Sequence, residues 1–186
     1  MILLRNAMKE TSIVKEEIYK GKMFSVEKHL VMLDDGSEDT RELVKNGGGA
    51  GIVAIDTENN IILVRQYRFG SQRVMLEIPA GKLSANESHR DCAIRELQEE
   101  TGYIAESAEL LLEYYASPAY LTEKVEIYYA CRVESGSAHP DPGEFVEVVK
   151  MPFAEAYDMV MKGEIKDGKT QMAVMKLALE YKQKNR

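Results

Sequence analysis

Apolar residues recur along this chain in two periods, and the change from one to the other marks its elements. Between residues 12 and 45 the pattern is that of short antiparallel strands. Ile13, Val14, Ile18 and Tyr19 fall in a first run, Phe24, Val26, Leu30 and Met32 in a second, and Thr40 to Lys45 form a third. Asp34-Asp35-Gly36 is turn chemistry between the last two. Gly47-Gly48-Gly49 follows, a run suited to a hinge or a close backbone approach. It divides the chain into an N-terminal β region, 1–46, and a larger domain, 47–186.

In the larger domain, Ile52–Ile55 and Ile61–Val64 flank the turn residues Asp56–Asn60 and predict a hairpin. Val74, Leu76 and Ile78 alternate toward Pro79-Ala80-Gly81. A helix is predicted over 85–101, then strands over 108–116 and 124–133. In the second of these, Val125, Ile127, Tyr129 and Cys131 alternate with Glu126, Tyr128, Ala130 and Arg132, the period of a half-buried strand. Gly136, Pro140, Pro142 and Gly143 make 134–143 a loop, and Phe145–Val149 a short strand after it. Phe153, Ala156, Tyr157, Val160 and Met161 stand at helical spacing, as do Val174, Leu177, Ala178 and Tyr181. Strands and helices mix without a regular βαβ alternation, which points to an α+β fold with a mixed sheet.

The helix over 85–101 carries the densest chemistry. Ser84-Ala85-Asn86-Glu87 has the spacing of a capping box, so the helix is expected to begin near Ala85. Gly102 stands where a left-handed C-cap residue belongs. Ala93, Ile94, Leu97 and Thr101 form an apolar stripe, and Glu96, Glu99 and Glu100 lie beside it. Residues three and four apart are helix neighbours, so Glu96 faces both other acids, at a cost of a few tenths of a kcal/mol per like-charged pair. Arg95 is placed to pair with Glu99, which leaves Glu96 and Glu100 short of local countercharge. A hard divalent cation, Mg²⁺ or Mn²⁺, prefers such oxygen ligands and would relieve the repulsion.

Composition narrows the alternatives. Lys plus Arg number 24 and Asp plus Glu 31, a net charge of −7, with no basic run of the kind that tracks nucleic acid. No apolar stretch reaches the roughly 18–20 residues that span a bilayer. The apolar run after Met1 is too short for a signal-peptide core, and Cys92 and Cys131 are too few for a disulfide scaffold, which suits a reducing cytoplasm. Gly163 to Thr170 satisfies G-x4-G-K-T, a phosphate-loop pattern. An amphipathic helix precedes it instead of a strand, and Glu164 and Asp167 would put negative charge into the cradle. The segment therefore reads as a turn opening the last helix. His29, His89 and His139 are scattered and suggest no metal site.

The segment from Gly81 to Tyr103 resembles the Nudix box, G-x5-E-x7-R-E-U-x-E-E-x-G-U, with U aliphatic. Gly81, Glu87, Arg95, Glu96, Leu97, Glu99, Glu100 and Gly102 match, and Tyr103 replaces the last aliphatic residue. The flanks are similar to those of ADP-ribose pyrophosphatases: Gln66-Tyr67-Arg68, Glu77-Ile78-Pro79-Ala80-Gly81, Ser117-Pro118 (followed here by Ala119 where glycine is usual), and Glu144 to Val148. Thr122-Glu123 and the stretch 163–170 also look like relatives that hydrolyse GDP-mannose.

The resemblance implies the Nudix α/β/α sandwich around a central mixed sheet. It implies metal-dependent hydrolysis of ADP-ribose to AMP and ribose 5-phosphate. Another nucleoside diphosphate sugar such as GDP-mannose is the alternative, and a non-catalytic ADP-ribose-binding module a further one. It implies Mg²⁺ held by Glu96 and Glu100 with the carbonyl of Ala80, and Glu99 assisting or held by Arg95. Arg68, Glu77, Ser117 and Pro118 become candidate substrate contacts, although Arg68 and Glu77 also read as an ordinary surface pair. Glu144 becomes the candidate general base, with Asp141 or Glu123 as substitutes. The family likeness also implies a homodimer that exchanges its N-terminal strands.

Overall fold

The structure, a computed structural model, describes residues 9–139, 143 and 145–184. The chain packs as two compact units. The first takes the residues up to Gly48 together with Tyr115–Lys124, and the second takes Gly49–Tyr114 and the chain from Val125 onward.

In the first unit, strands β1 (Thr11–Lys20), β2 (Ser25–Met32) and β3 (Glu38–Lys45) form an antiparallel sheet in that order. The turn falls at Asp34–Gly36 as its chemistry demands, with Gly36 at φ 83°. Every residue of β1 is exposed, including Ile13, Val14, Ile18 and Tyr19. Glu27 on β2 is the opposite case. It is buried, and Lys15, Lys45 and His29 close on it at 2.9, 3.2 and 3.0 Å. The Lys15 bond, opposed by burial, holds its carboxyl at about 2. The segment 117–122 joins this unit through backbone bonds from Val44 N–H to the Tyr120 carbonyl (2.7 Å) and from Thr122 N–H to the Val44 carbonyl (3.0 Å).

In the second unit, β4 (Gly49–Ile55), β5 (Asn60–Arg68), β6 (Arg73–Glu77) and β7 (Ala80–Lys82) lead into helix α1 (His89–Thr101). Next come β8 (Tyr103–Ile104), β9 (Glu109–Tyr115), β10 (Lys124–Cys131), β11 (Glu134–Ser135) and β12 (Val146–Pro152). Helices α2 (Phe153–Met161) and α3 (Gly168–Lys184) close the chain. The main sheet runs β12-β5-β4-β10-β9, with β6 beside β5 and β7 beside β4. It is mixed, because β10 lies parallel to β4 while β5, β7 and β12 pair antiparallel.

Each face of this sheet carries its own core. Val53, Ile55, Ile61, Leu63, Val125 and Ile127 pack with Phe153, Ala156 and Val160 of α2 and with Val174 and Leu177 of α3. Ile52, Ala54, Ile62, Tyr128 and Ala130 pack with Cys92, Ala93 and Leu97 of α1. This is an α/β/α sandwich within one unit, and every residue of β4 is buried. Burying each such Ile, Leu or Val contributes about 1.5–3 kcal/mol.

Two sequence expectations are corrected. The half-buried strand 124–133 is a central one: Tyr128 and Ala130 are buried as well as Val125 and Ile127, while Cys131 is exposed. Its second face is covered by α1, so alternation does not separate core from solvent. Helix α1 begins at His89, not near Ala85. Asn86 takes a left-handed φ of 63°, which no helix continues through. Ser88 is the N-cap, accepting from Asp91 N–H at 3.1 Å. One half of the expected capping box survives as a separate turn, in which Ser84 N–H donates to Glu87 Oε2 at 2.8 Å. The expected loop 134–143 also begins with a short strand, β11, paired with β8. Among the described residues no helix is long and apolar enough to cross a membrane.

Candidate active site

The C-terminal turns of α1 hold the acidic cluster. Leu97 and Ala93 anchor the helix in the core, which fixes the azimuth of Glu96, Glu99 and Glu100 beside them. Gly102 ends the helix at φ 76°, its N–H donating to the Gln98 carbonyl at 2.8 Å.

Arg95 organises the cluster. Its Nε and Nη2 bind the two oxygens of Glu87 at 2.7 and 3.0 Å. Its Nη1 donates to Glu96 at 2.8 Å and Glu99 at 2.6 Å, and Nη2 also reaches the Lys82 carbonyl at 3.1 Å. One guanidinium thus serves three carboxylates, and these four groups carry a net negative charge. The bonds Arg95 donates to Glu87, Glu99 and Glu96 raise its pKa, against the effect of burial. The Arg95 bond in turn draws the Glu87 carboxyl down to about 2. Cys92, packed under the same turn, has its thiol pushed up to about 12 by burial and then by Glu87, so it is an inert filler.

That depression has a consequence for stability. Glu87 has an ordinary value of 4.5 and a folded value of about 2, so its contribution is full above 4.5 and disappears as pH falls toward 2. We expect denaturant-measured stability to decline through this window in the wild type, and the decline to be shallower in Glu87→Gln. Equal slopes for the two proteins would show that Glu87 is not a linked group.

Strand β7 closes the other side of the cluster. Ala80 N–H donates to Glu100 Oε2 at 3.1 Å, and Glu100 is only 5% exposed. A Cβ on Gly81 would collide with the Glu96 carboxylate, so this position has to lack a side chain for Glu96 to lie where it does. Among the described residues, no three acidic, histidine or cysteine side chains converge as a ready metal-binding group. The donor chemistry nevertheless fits a hard divalent cation. The carboxylates of Glu96 and Glu100 lie against the β7 backbone, and Glu96 fills a cradle that glycine leaves open.

Arg68 and Glu77 form a second focus. They are no surface pair, since Glu77 is 1% exposed and binds Arg68 Nε and Nη2 at 2.8 Å each. Burial alone would raise the Glu77 pKa, but Arg68 and Lys169 together hold it below its ordinary value. Arg68 is raised, chiefly by Glu77 and against burial, with Glu100 and Asp167 acting through space. Lys169 was missed in the sequence because its partner lies 92 positions away.

Ser117 and Pro118 lie in the first unit, where the Ser117 carbonyl accepts from Tyr120 and Leu121 N–H at 3.1 and 2.9 Å. Glu144 and Asp141 lie outside the described residues. The chain leading to them is tied to α1, with His139 N–H donating to the Glu99 carbonyl at 3.0 Å and Gly136 N–H to the Gly102 carbonyl at 2.8 Å.

Comparison with known proteins gives three kinds of match. A family model described as NUDIX domain matches residues 45–172. An ADP-ribose pyrophosphatase of Bacillus subtilis (strain 168) is 36% identical over 176 residues, covering 94% of this chain and 95% of its own. A methanol dehydrogenase activator of Bacillus methanolicus is also 36% identical, over 173 residues, covering 92% and 94%. A GDP-mannose pyrophosphatase of Yersinia enterocolitica is 34% identical over 173 residues, covering 86% and 90%. Among solved structures, one titled as the crystal structure of an ADP compounds hydrolase superposes with a TM-score of 0.85 at 24% identity, covering 98% of this chain and 99% of that one.

Proposed function

The chain belongs to the NUDIX family, and from that premise we propose that it hydrolyses the diphosphate bond of ADP-ribose, giving AMP and ribose 5-phosphate. The observation that carries this is the Arg95-centred cluster beside Gly81, in which one guanidinium gathers three carboxylates. The ADP-ribose pyrophosphatase relative, similar over nearly the whole chain, supports the choice of substrate. The GDP-mannose pyrophosphatase relative supports GDP-mannose as a second reading. Both substrates share a nucleoside diphosphate linked to a sugar.

Glu96 and Glu100, with the Ala80 backbone, are the residues we assign to Mg²⁺ or Mn²⁺. Such an ion, when bound, polarises phosphoryl oxygens and offsets the charge of an anionic substrate. Arg95 orients Glu96 and Glu99 and keeps the acids from splaying apart. Arg68, held in a fork by Glu77, offers a fixed cation to a phosphate or ribose oxygen. The deciding experiment is a hydrolysis panel of ADP-ribose, GDP-mannose, UDP-glucose, NADH and diadenosine polyphosphates, with Mg²⁺ or Mn²⁺ supplied. ADP-ribose is expected to be turned over with the highest kcat/KM. A highest value for GDP-mannose selects the second reading, and no turnover of any panel member overturns both.

The N-terminal region, 1–46, we assign to dimerisation, with 47–186 as the hydrolase domain. The sheet β1-β2-β3 ends on β1, whose apolar side chains are exposed along its length. Among the described residues no strand pairs with the outer edge of β1, and such an edge is a template for pairing with another chain. We expect a homodimer with β1 at its interface and a cytoplasmic location. Sedimentation as a monomer at micromolar concentration, with full activity, would refute the assembly.

A further inference from the structure

The stretch that mimics a phosphate loop ends on three residues that tie α3 to the second focus of the site. Asp167 Oδ2 accepts from Thr170 N–H at 2.9 Å and from its hydroxyl at 2.5 Å, the geometry of a helix cap. The Thr170 Oγ1 in turn accepts from Ile78 N–H at 2.9 Å. Between these bonds Lys169 reaches Glu77 and also Asp167 Oδ1, at 3.0 Å. The result is a chain of alternating charge, Arg68–Glu77–Lys169–Asp167, running from a half-exposed guanidinium into the body of the unit.

Glu77 does not need two cations for charge balance alone. Arg68 binds both its oxygens, and that pair is already neutral. A neutral pair pulls weakly on an anionic ligand, because the carboxylate cancels the guanidinium at 2.8 Å. Lys169 changes this in two ways. It shares Oε2 of Glu77 with Arg68 Nη2, which stops the carboxylate from turning. It also takes up part of the Glu77 charge, dividing its own between Glu77 and Asp167 Oδ1, while Asp167 Oδ2 serves the start of α3. The Lys169 side chain is 14% exposed and that of Arg68 is 43%, so the lysine is sheltered behind the arginine.

We infer that Lys169 is a positioning residue for substrate, holding the buried Glu77 carboxylate so that Arg68 keeps its guanidinium turned toward an anionic diphosphate. This deepens the nucleoside diphosphate sugar reading and rests on it. The role is distinct from the one the local pattern suggests, in which the lysine would touch phosphate itself.

The test is a double-mutant cycle read by ADP-ribose affinity in calorimetry and by KM and kcat separately. Lys169→Met is expected to weaken binding and raise KM about 10-fold with kcat within about 2-fold, the signature of a lost binding interaction. In an Arg68→Ala background the same change is expected to cost less than about 2-fold, since a residue acting through Arg68 has nothing left to position. Lys169→Arg is expected to keep affinity within about 3-fold. Equal losses in both backgrounds, or no loss in either, overturn the inference. If Lys169→Met does not fold, Lys169→Gln carries the same cycle. A second arm needs no substrate: exchange of the Arg68 Nε proton with water, read by NMR, is expected to quicken about 10-fold in the lysine variant. Unchanged exchange sinks the positioning role whatever the activity. A wild type that neither binds nor hydrolyses any panel member sinks only the substrate reading, and the exchange arm then decides the role of Lys169.

Discussion

Glu96→Gln and Glu100→Gln are each expected to lower kcat by about three orders of magnitude while leaving the fold in place. Three decades correspond to about 4 kcal/mol of transition-state stabilisation, within the range that one ion contributes by polarising a phosphoryl oxygen. The two substitutions are gentle to the apo protein for different reasons. Glu100 is buried and accepts from Ala80 N–H, a bond that a glutamine carbonyl can keep. Glu96 bonds to Arg95, which retains Glu87 and Glu99 when Glu96 loses its charge. Removing one acid from a crowded negative group also relieves repulsion, so thermal stability without metal is expected to be equal or slightly higher. The check pairs steady-state rates with melting curves taken with and without Mg²⁺. A variant keeping near-wild-type rate would remove that residue from the proposed ligand set. A variant whose apo melting temperature collapses would mean the carboxylate holds the fold instead.

The parts of this molecule that could be read from its sequence are those whose cause is local. Gly102 ends α1 because only its own backbone is asked to be left-handed, and the Arg95–Glu99 pair forms because one helical turn brings them together. The start of α1 was misplaced because Ser84 and Ser88 are equally able caps, and the choice falls to Asn86 leaving the helical region. The role of β10 was misread because its polar-looking face includes Tyr128 and Ala130, and nothing near them announces that α1 will cover it. For Glu77 the surface pair stays open beside the substrate contact for the same reason. Its burial and its bond to Lys169 depend on α3 returning to the sheet, a contact across most of the domain. The phosphate-loop likeness was rightly set aside, yet its Lys169 and Thr170 still belong beside the site, reached through tertiary structure alone.

Replacing Glu144 by glutamine is expected to reduce the catalytic rate by roughly 10²–10⁴-fold, the range that follows loss of a general base, with little change in substrate affinity. A water that attacks phosphorus has to lose a proton, and the acids of α1 are assigned above to metal or held by Arg95. Glu99 and Glu96 are bound to Arg95, and Glu100 faces the Ala80 backbone. The base is therefore expected from another segment. Glu144 itself lies outside the described residues, but both approaches to it are defined. On one side the chain is fastened to the end of α1 by the Gly136–Gly102 and His139–Glu99 backbone bonds. A side chain on Gly102 would strike that same segment at Ser137 and Ala138, so the cap glycine also sets how closely it approaches. On the other side Phe145 is 91% exposed and the strand β12 begins at Val146, paired with Gln66 of β5. The intervening stretch thus follows the segment fastened to the acidic helix and precedes β12, the neighbour of the strand that carries Arg68. Rates measured at saturating substrate isolate the chemical step from binding. A Glu144→Gln enzyme within a few-fold of wild type would shift the assignment to Asp141, tested by the matching asparagine variant, and then to Glu123.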